Sequence, residues 1–210
     1  MKYFDSLPFL VNQDTNNDLY VTRNLLIRTH LIPELAKNPL LFYKYAIQDG
    51  DTPEIIANKY YGTPYRYWVV LYGNPNIKDP QADWPLTNQQ LTLYLKDKYS
   101  AAAGGADQVL SYISGTVHHY EKIITTIDNE TKTTAIKNIE IDETSYNLIT
   151  PFTQNKTFAD GSSVTYSLSK SAISIYDYED KLNESKRNIN LINSAYVNQV
   201  ETQYQSLVKS

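Results

Sequence analysis

Four consecutive residues, Asp49-Gly50-Asp51-Thr52, put two carboxylates, a hydroxyl and a glycine within one turn of chain. Three structures use such a set: a calcium loop, a sugar-binding turn and the start of a helix. A calcium loop of the EF-hand kind needs oxygen ligands at alternate positions, glycine at the sixth and glutamate at the twelfth. Here Gly50 separates the acids and Pro53 stands where a ligand belongs, so that reading fails. The helix start fits the residue types. Thr52 is a good N-cap, Pro53 suits the first helical position, and Asp51 brings negative charge to free N–H groups.

The remaining reactive residue types assemble no site. His30 and Glu34 have metal-ligand spacing on a helix, but Pro33 lies between them and no third ligand is evident. His118 and His119 are adjacent on a predicted strand, which sends their rings to opposite faces, while His119 and Glu121 share one face as a surface pair. Asp49/Asp51 and Glu179/Asp180 read as capping or solvated-face residues. There is no glycine-rich phosphate loop and no G-x-S-x-G. The sequence therefore predicts no catalytic residue, no metal and no cofactor, and a protein that is not an enzyme.

Composition narrows the partners. The chain has 210 residues, a formal net charge of −4 and no cysteine. It shows no run of basic residues, which argues against nucleic acid and against anionic membranes. Absent cysteines exclude a disulfide framework. The N-terminal "MKYFDSLPFLVNQD" is not a signal peptide, and no stretch reaches the ~20 apolar residues of a membrane span. Tyrosine is the outlier, with 19 copies against 5 phenylalanines. Its apolar ring and polar tip suit surfaces that are wet before assembly and buried afterwards.

The elements that must position these residues follow from local signals. Residues 1–39 read as an extended arm with turn residues at Asn12 to Asp18, then a short helix over 25–38 broken by Pro33. "LLFYKYAI" (40–47) reads as a strand. "TPEIIANKYYG" and "TPYRYWVVLYG" each open Thr-Pro and close Tyr-Gly, which predicts two back-to-back helices. Ile55, Ile56, Tyr60, Trp68, Leu71 and Tyr72 are their candidate core faces. Residues 87–99 carry a capping-box pattern and the pair Leu91/Leu95, predicting a third helix, with a strand as the alternative. "SAAAGGAD" (100–107) reads as a linker and 108–170 as a small β-rich segment with a hairpin at Asp160-Gly161. From Ile175, apolar residues recur at three- and four-residue steps to Leu207 with no Gly or Pro. That predicts one amphipathic helix over 171–210, whose apolar stripe from Ile175 to Leu207 runs ~50 Å.

Taken together, "YAIQDGDTPEIIANKYYG…WVVLYGNPNI" resembles the LysM domain, a β-α-α-β module. Gly50, Asp51 and Thr52, Ile56 and Ala57, and Leu71 with Asn74 stand at its signature positions over residues 40–99. The resemblance implies a contact loop at Gly50, Asp51, Thr52 and Asn74, and a core that includes Ile56, Ala57 and Leu71; Trp68 is expected to anchor it. LysM domains close with a second strand reading Gly-Gln-x-Leu-x-Ile-Pro. Here "WPLTNQQLTLYLKDKY" reads as a helix instead, which leaves half of the sugar groove without its wall.

A wider resemblance takes in the arm, the LysM-like segment, "DWPLT", "DKYSAAAGGADQV" and the long C-terminal helix. It is to the LysM-bearing baseplate wedge proteins of T-even-like contractile-tailed phages. It implies an α+β virion structural protein of the tail baseplate, made in the bacterial cytoplasm. The implied role is to join wedge and hub-proximal subunits in a six-fold assembly, without cofactor, nucleic acid or membrane. Tyr178, Leu182, Ile189, Ile192, Tyr196 and Tyr204 on the C-terminal stripe are the expected partner contacts. The alternative is a peptidoglycan- or chitin-binding module.

Overall fold

A computed structural model of the chain describes residues 3–27, 29, 31 and 37–209. In chain order its elements are β1 (Phe9–Gln13), β2 (Leu19–Arg23), β3 (Phe42–Ala46), α1 (Pro53–Tyr61) and α2 (Tyr67–Tyr72). Then come α3 (Asn88–Ala103), α4 (Val109–Gly115), β4 (Val117–Asp128), β5 (Thr134–Ile141) and α5 (Glu143–Leu148). The chain finishes with β6 (Phe152–Thr157), β7 (Ser163–Ser174), α6 (Ile175–Ser185), β8 (Asn188–Ile192) and α7 (Val197–Lys209). The class is α+β. These elements form two compact units, one from Met1–Thr87 with Glu184–Ser210 and the other from Asn88–Asn183.

In the first unit the arm is an antiparallel hairpin, β1 with β2. Its turn is held by Asp14, whose carboxylate accepts from the Asn16 and Asp18 amides, with Asn17 at φ 68°. The helix expected over 25–38, with His30 and Glu34, lies largely outside the described residues. β3 leads into α1 and α2, and β8 returns antiparallel to β3 with Tyr43 opposite Leu191. Ile47, Ile56, Ala57, Val69, Val70, Ile189, Leu191 and Ile192 fill the core beneath this β-α-α-β arrangement. α7 adds Val197, Val200, Tyr204 and Val208 to the same core. Ile55, expected to share it, is 41% exposed. Neighbours on a helix point about 100° apart, and Ile56 takes the inward position.

The predicted helix over 171–210 is corrected. α6 stops at Ser185, Asn188–Ile192 is a strand, and Asn193 caps a new helical start by accepting from the Ala195 amide. The stripe of three- and four-residue steps hid a period of two: Ile189 and Leu191 are buried, while Asn188 and Asn190 are not. The open edge of β3 supplies a ladder that no helical periodicity in this stretch can outweigh.

The second unit holds the four-stranded antiparallel sheet β5-β4-β7-β6. The helix expected near residues 87–99 is α3, with Leu91 and Leu95 buried on one face. The expected linker is partly helical, since α3 runs to Ala103; Gly104 and Gly105, at φ 79° and 145°, then break it. "VLSYISG", placed in the sheet from its branched residues, is instead α4. Val109 and Ile113 lie one turn apart and both are fully buried. α5 had no apolar signal; Asp142 caps it by accepting from the Ser145 amide.

Candidate functional site

The Asp49–Thr52 turn is a structural start rather than an open ligand cup. Gly50 sits at φ 84°, where a side chain would strain, and the Asp51 amide donates to the Gln48 carbonyl. Thr52 Oγ1 accepts from the Ile55 amide at 3.3 Å and so caps α1. Asp51 is buried and its carboxylate accepts three bonds, from Lys59 Nζ at 2.6 Å, Tyr45 Oη at 2.7 Å and the Gln48 amide at 3.1 Å. Its carbonyl accepts from Trp84 Nε1 at 2.8 Å. Burial pushes the Asp51 carboxyl up, but the Lys59, Tyr45 and Gln48 bonds outweigh it and hold the pKa below the ordinary value. Burial, then the bond to Asp51, pushes Tyr45 up to about 12.

The opposite wall is the loop that enters β8. Arg187 reaches Asp49 at 2.7 Å and Glu184 at 2.6 Å, and also donates to the Ile47 carbonyl at 3.2 Å. Lys186 Nζ donates to the Ala82 carbonyl at 2.8 Å. The loop after β3 and the loop before β8 are therefore tied together by protein groups.

Asn74 and its neighbours dock β8. Asn74 Nδ2 donates to the Val70 and Asn190 carbonyls, each at 2.7 Å, and its Oδ1 accepts from the Asn190 amide at 2.8 Å. Tyr61 Oη donates to the Ile192 carbonyl at 2.9 Å. A Cβ on Gly73 would meet the Asn190 oxygen at 3.2 Å, so the glycine lets the strand approach closely. Ile56, Ala57 and Trp68 are buried in the core beside these contacts, and Leu71 packs against it. Trp68 lies 4.7 Å from the Tyr204 ring, between centroids.

The expected contact stripe divides. Ile189, Ile192 and Tyr204 are core residues of the first unit and unavailable to partners. Their apolar periodicity was real, but a strand and a separate helix carry it inward. Tyr196 is 38% and Leu182 44% exposed. Tyr178 stacks on His118 with the rings 3.8 Å apart.

The two histidines are not on opposite faces. A register shift between Val117 and His119 brings the Nδ1 atoms of His118 and His119 to 2.9 Å. Glu121, expected in a surface pair with His119, and Glu179, expected on a solvated face, are instead both buried. Glu121 accepts from Asn138 at 2.8 Å and faces His119 and Lys181; Glu179 accepts from Lys98 and Tyr99, both at 2.7 Å. For Glu179 burial pushes the pKa up, and the Lys98 and Tyr99 bonds outweigh it and lower it. The His119–Glu121 spacing was the one local signal; Asn138 and Lys181 for Glu121, and Lys98 and Tyr99 for Glu179, come from other elements.

Among the described residues, no group of three or more His, Asp or Glu side chains is placed to hold a metal ion. What the geometry provides is a set of bonds that fasten segments distant in sequence, in two units.

A model of the family described as "Base plate wedge protein 53" matches residues 35–208. The chain belongs to the base plate wedge protein 53 family. The match begins before β3 and ends within α7, so it takes in the β-α-α-β arrangement, the second unit and the returning strand. The chain is also similar to a baseplate wedge protein, gp53, of Enterobacteria phage T4, with 26% identity over 130 residues. That similarity covers 60% of this chain and 64% of the T4 protein.

Proposed function

We propose that the chain joins wedge subunits to one another and to hub-proximal proteins of a contractile tail, through protein contacts and without catalysis. The observation that carries this reading is the family match over residues 35–208, which runs through both units. On this reading β3, α1, α2 and β8 form a LysM-like module used as a contact fold, in which the second unit is an insertion before the closing strand. The partners are other proteins of a six-fold baseplate, and the location is the virion tail after synthesis in the host cytoplasm. The peptidoglycan-binding alternative is disfavoured by Arg187, which spans the two loops that would border a sugar groove.

The test is genetic and compositional. Virions should contain the chain in their isolated baseplates, and a nonsense mutation early in its gene should leave wedges that fail to close around the hub. Complete baseplates formed without the chain would overturn the proposal.

A further inference from the structure

A sheet needs at least one face covered to be stable, yet the four strands of the second unit hold a single buried residue, the carboxylate of Glu121. Helical cover gathers at one end only, where Tyr146 of α5 packs on Tyr120 and Lys181 of α6 reaches Glu121. The register separates the two faces. On one, β7 contributes Thr165, Ser167, Ser169 and Ser171, opposite Ile127, Thr125, Ile123 and Glu121 of β4, and Thr165 bonds to Asn129. On the other, Lys137, Ile124, Leu168 and Phe152 lie side by side across all four strands. Tyr166 and Val164 continue that apolar strip along β7, with Phe152 51% and Tyr166 37% exposed.

Lysines ring the strip. Lys122 stands directly opposite Lys170, Lys137 closes the β5 edge, and Lys156 lies opposite Val164 on β6. Like charges placed opposite one another on a sheet are unfavourable. Among the described residues none of the four lysines is in an ion pair. Lys170 Nζ instead donates to the Tyr146 carbonyl. The acid at the end of this face, Asp128, accepts from the Glu130 and Thr131 amides in its own turn.

From this we infer that the lysine-ringed face of β5-β4-β7-β6 is a docking surface for another baseplate protein. Its occupant presents an apolar strip bordered by carboxylates. The aliphatic centre, Ile124 and Leu168, together with a formal net charge of −4, favours a protein over a nucleic acid. The inference rests on the assembly role proposed above and adds to it the surface and the chemistry of the partner.

The experiment compares the free full-length chain with baseplates isolated from virions that carry it. Amine acetylation should modify Lys122, Lys137 and Lys156 in the free chain and lose them in the baseplate, while Lys132, in the exposed turn between β4 and β5, stays reactive in both. Carbodiimide cross-linking should join these lysines to Asp or Glu of a different protein, identified by mass spectrometry. A Lys137→Glu/Lys156→Glu variant should melt as the wild type does and fail to enter baseplates, and the Lys→Arg pair should enter them. Lysines that remain reactive in the baseplate overturn the inference. So do cross-links confined to carboxylates of this chain or its copies, or protection that disappears on nuclease treatment. Absence of the chain from baseplates overturns the assembly role itself.

Discussion

Asn74 holds Asn190 by both halves of its amide, although 116 residues separate them. β8 pairs with β3 through Leu41/Asn193 and Ile47/Arg187 bonds, so the alternate residues Asn190 and Ile192 turn their peptide groups to the outer edge. The Asn74 side chain takes the place of a third strand there, and the Tyr61 hydroxyl satisfies the next carbonyl. Replacing Asn74 by Ala strands the Asn190 N–H and C=O. The expected loss is about 2–4 kcal/mol, with faster amide exchange in β8 than elsewhere. Urea unfolding and hydrogen exchange check it; an unchanged midpoint would show that water replaces the amide at no cost.

Trp68 sets a second test. Its indole is 4% exposed and lies among Tyr3, Tyr72 and Tyr204. Trp68→Ala should cost about 3–5 kcal/mol through lost burial and an unfilled cavity. A thermal melt equal to wild type, with assembly abolished, would instead make Trp68 a contact residue.

Truncation after Asn193 removes α7 and with it Val197, Val200, Tyr204 and Val208 from the core. The expected outcome is a first unit without a cooperative thermal transition, since α7 is internal packing rather than a projecting arm. Retention of that transition would return α7 to the role of an intermolecular helix.

Acid should weaken the turn before α1. Asp51 has a folded pKa below its unfolded value, so its contribution is fully present above the unfolded pKa. It is lost as pH falls through the folded pKa. An Asp51→Asn variant should be less stable near neutrality and show a shallower acid limb in a plot of unfolding midpoint against pH. Parallel curves for the two proteins would contradict this.

The closed loops also predict no retention on insoluble peptidoglycan. Binding by the wild type that Asp51→Ala abolishes would favour the sugar-binding alternative.

The sequence by itself determined the parts whose causes are local. Thr52, Pro53 and Gly62 state where α1 begins and ends, because a cap, a fixed φ and a left-handed φ each concern one or two residues. The capping-box pattern and the spacing of Leu91 and Leu95 favoured α3 over the alternative strand, and Asp160-Gly161 marked the β6–β7 turn. In the motif, Thr52 was legible as the helix cap for the same reason, whereas the Asp51 carboxylate accepts from Lys59, Tyr45 and the Gln48 amide and not from the first amides of α1. Only the tertiary structure decided that "NINLI" is a strand. Its apolar spacing serves a helix or a ladder equally, and the unpaired edge of β3, some 140 residues earlier, resolves the tie. The same distance explains why Arg187, Glu179 and the Asn74–Asn190 clasp were illegible: each charge or amide acquires its role from a partner that folding, not sequence proximity, brings within bonding range.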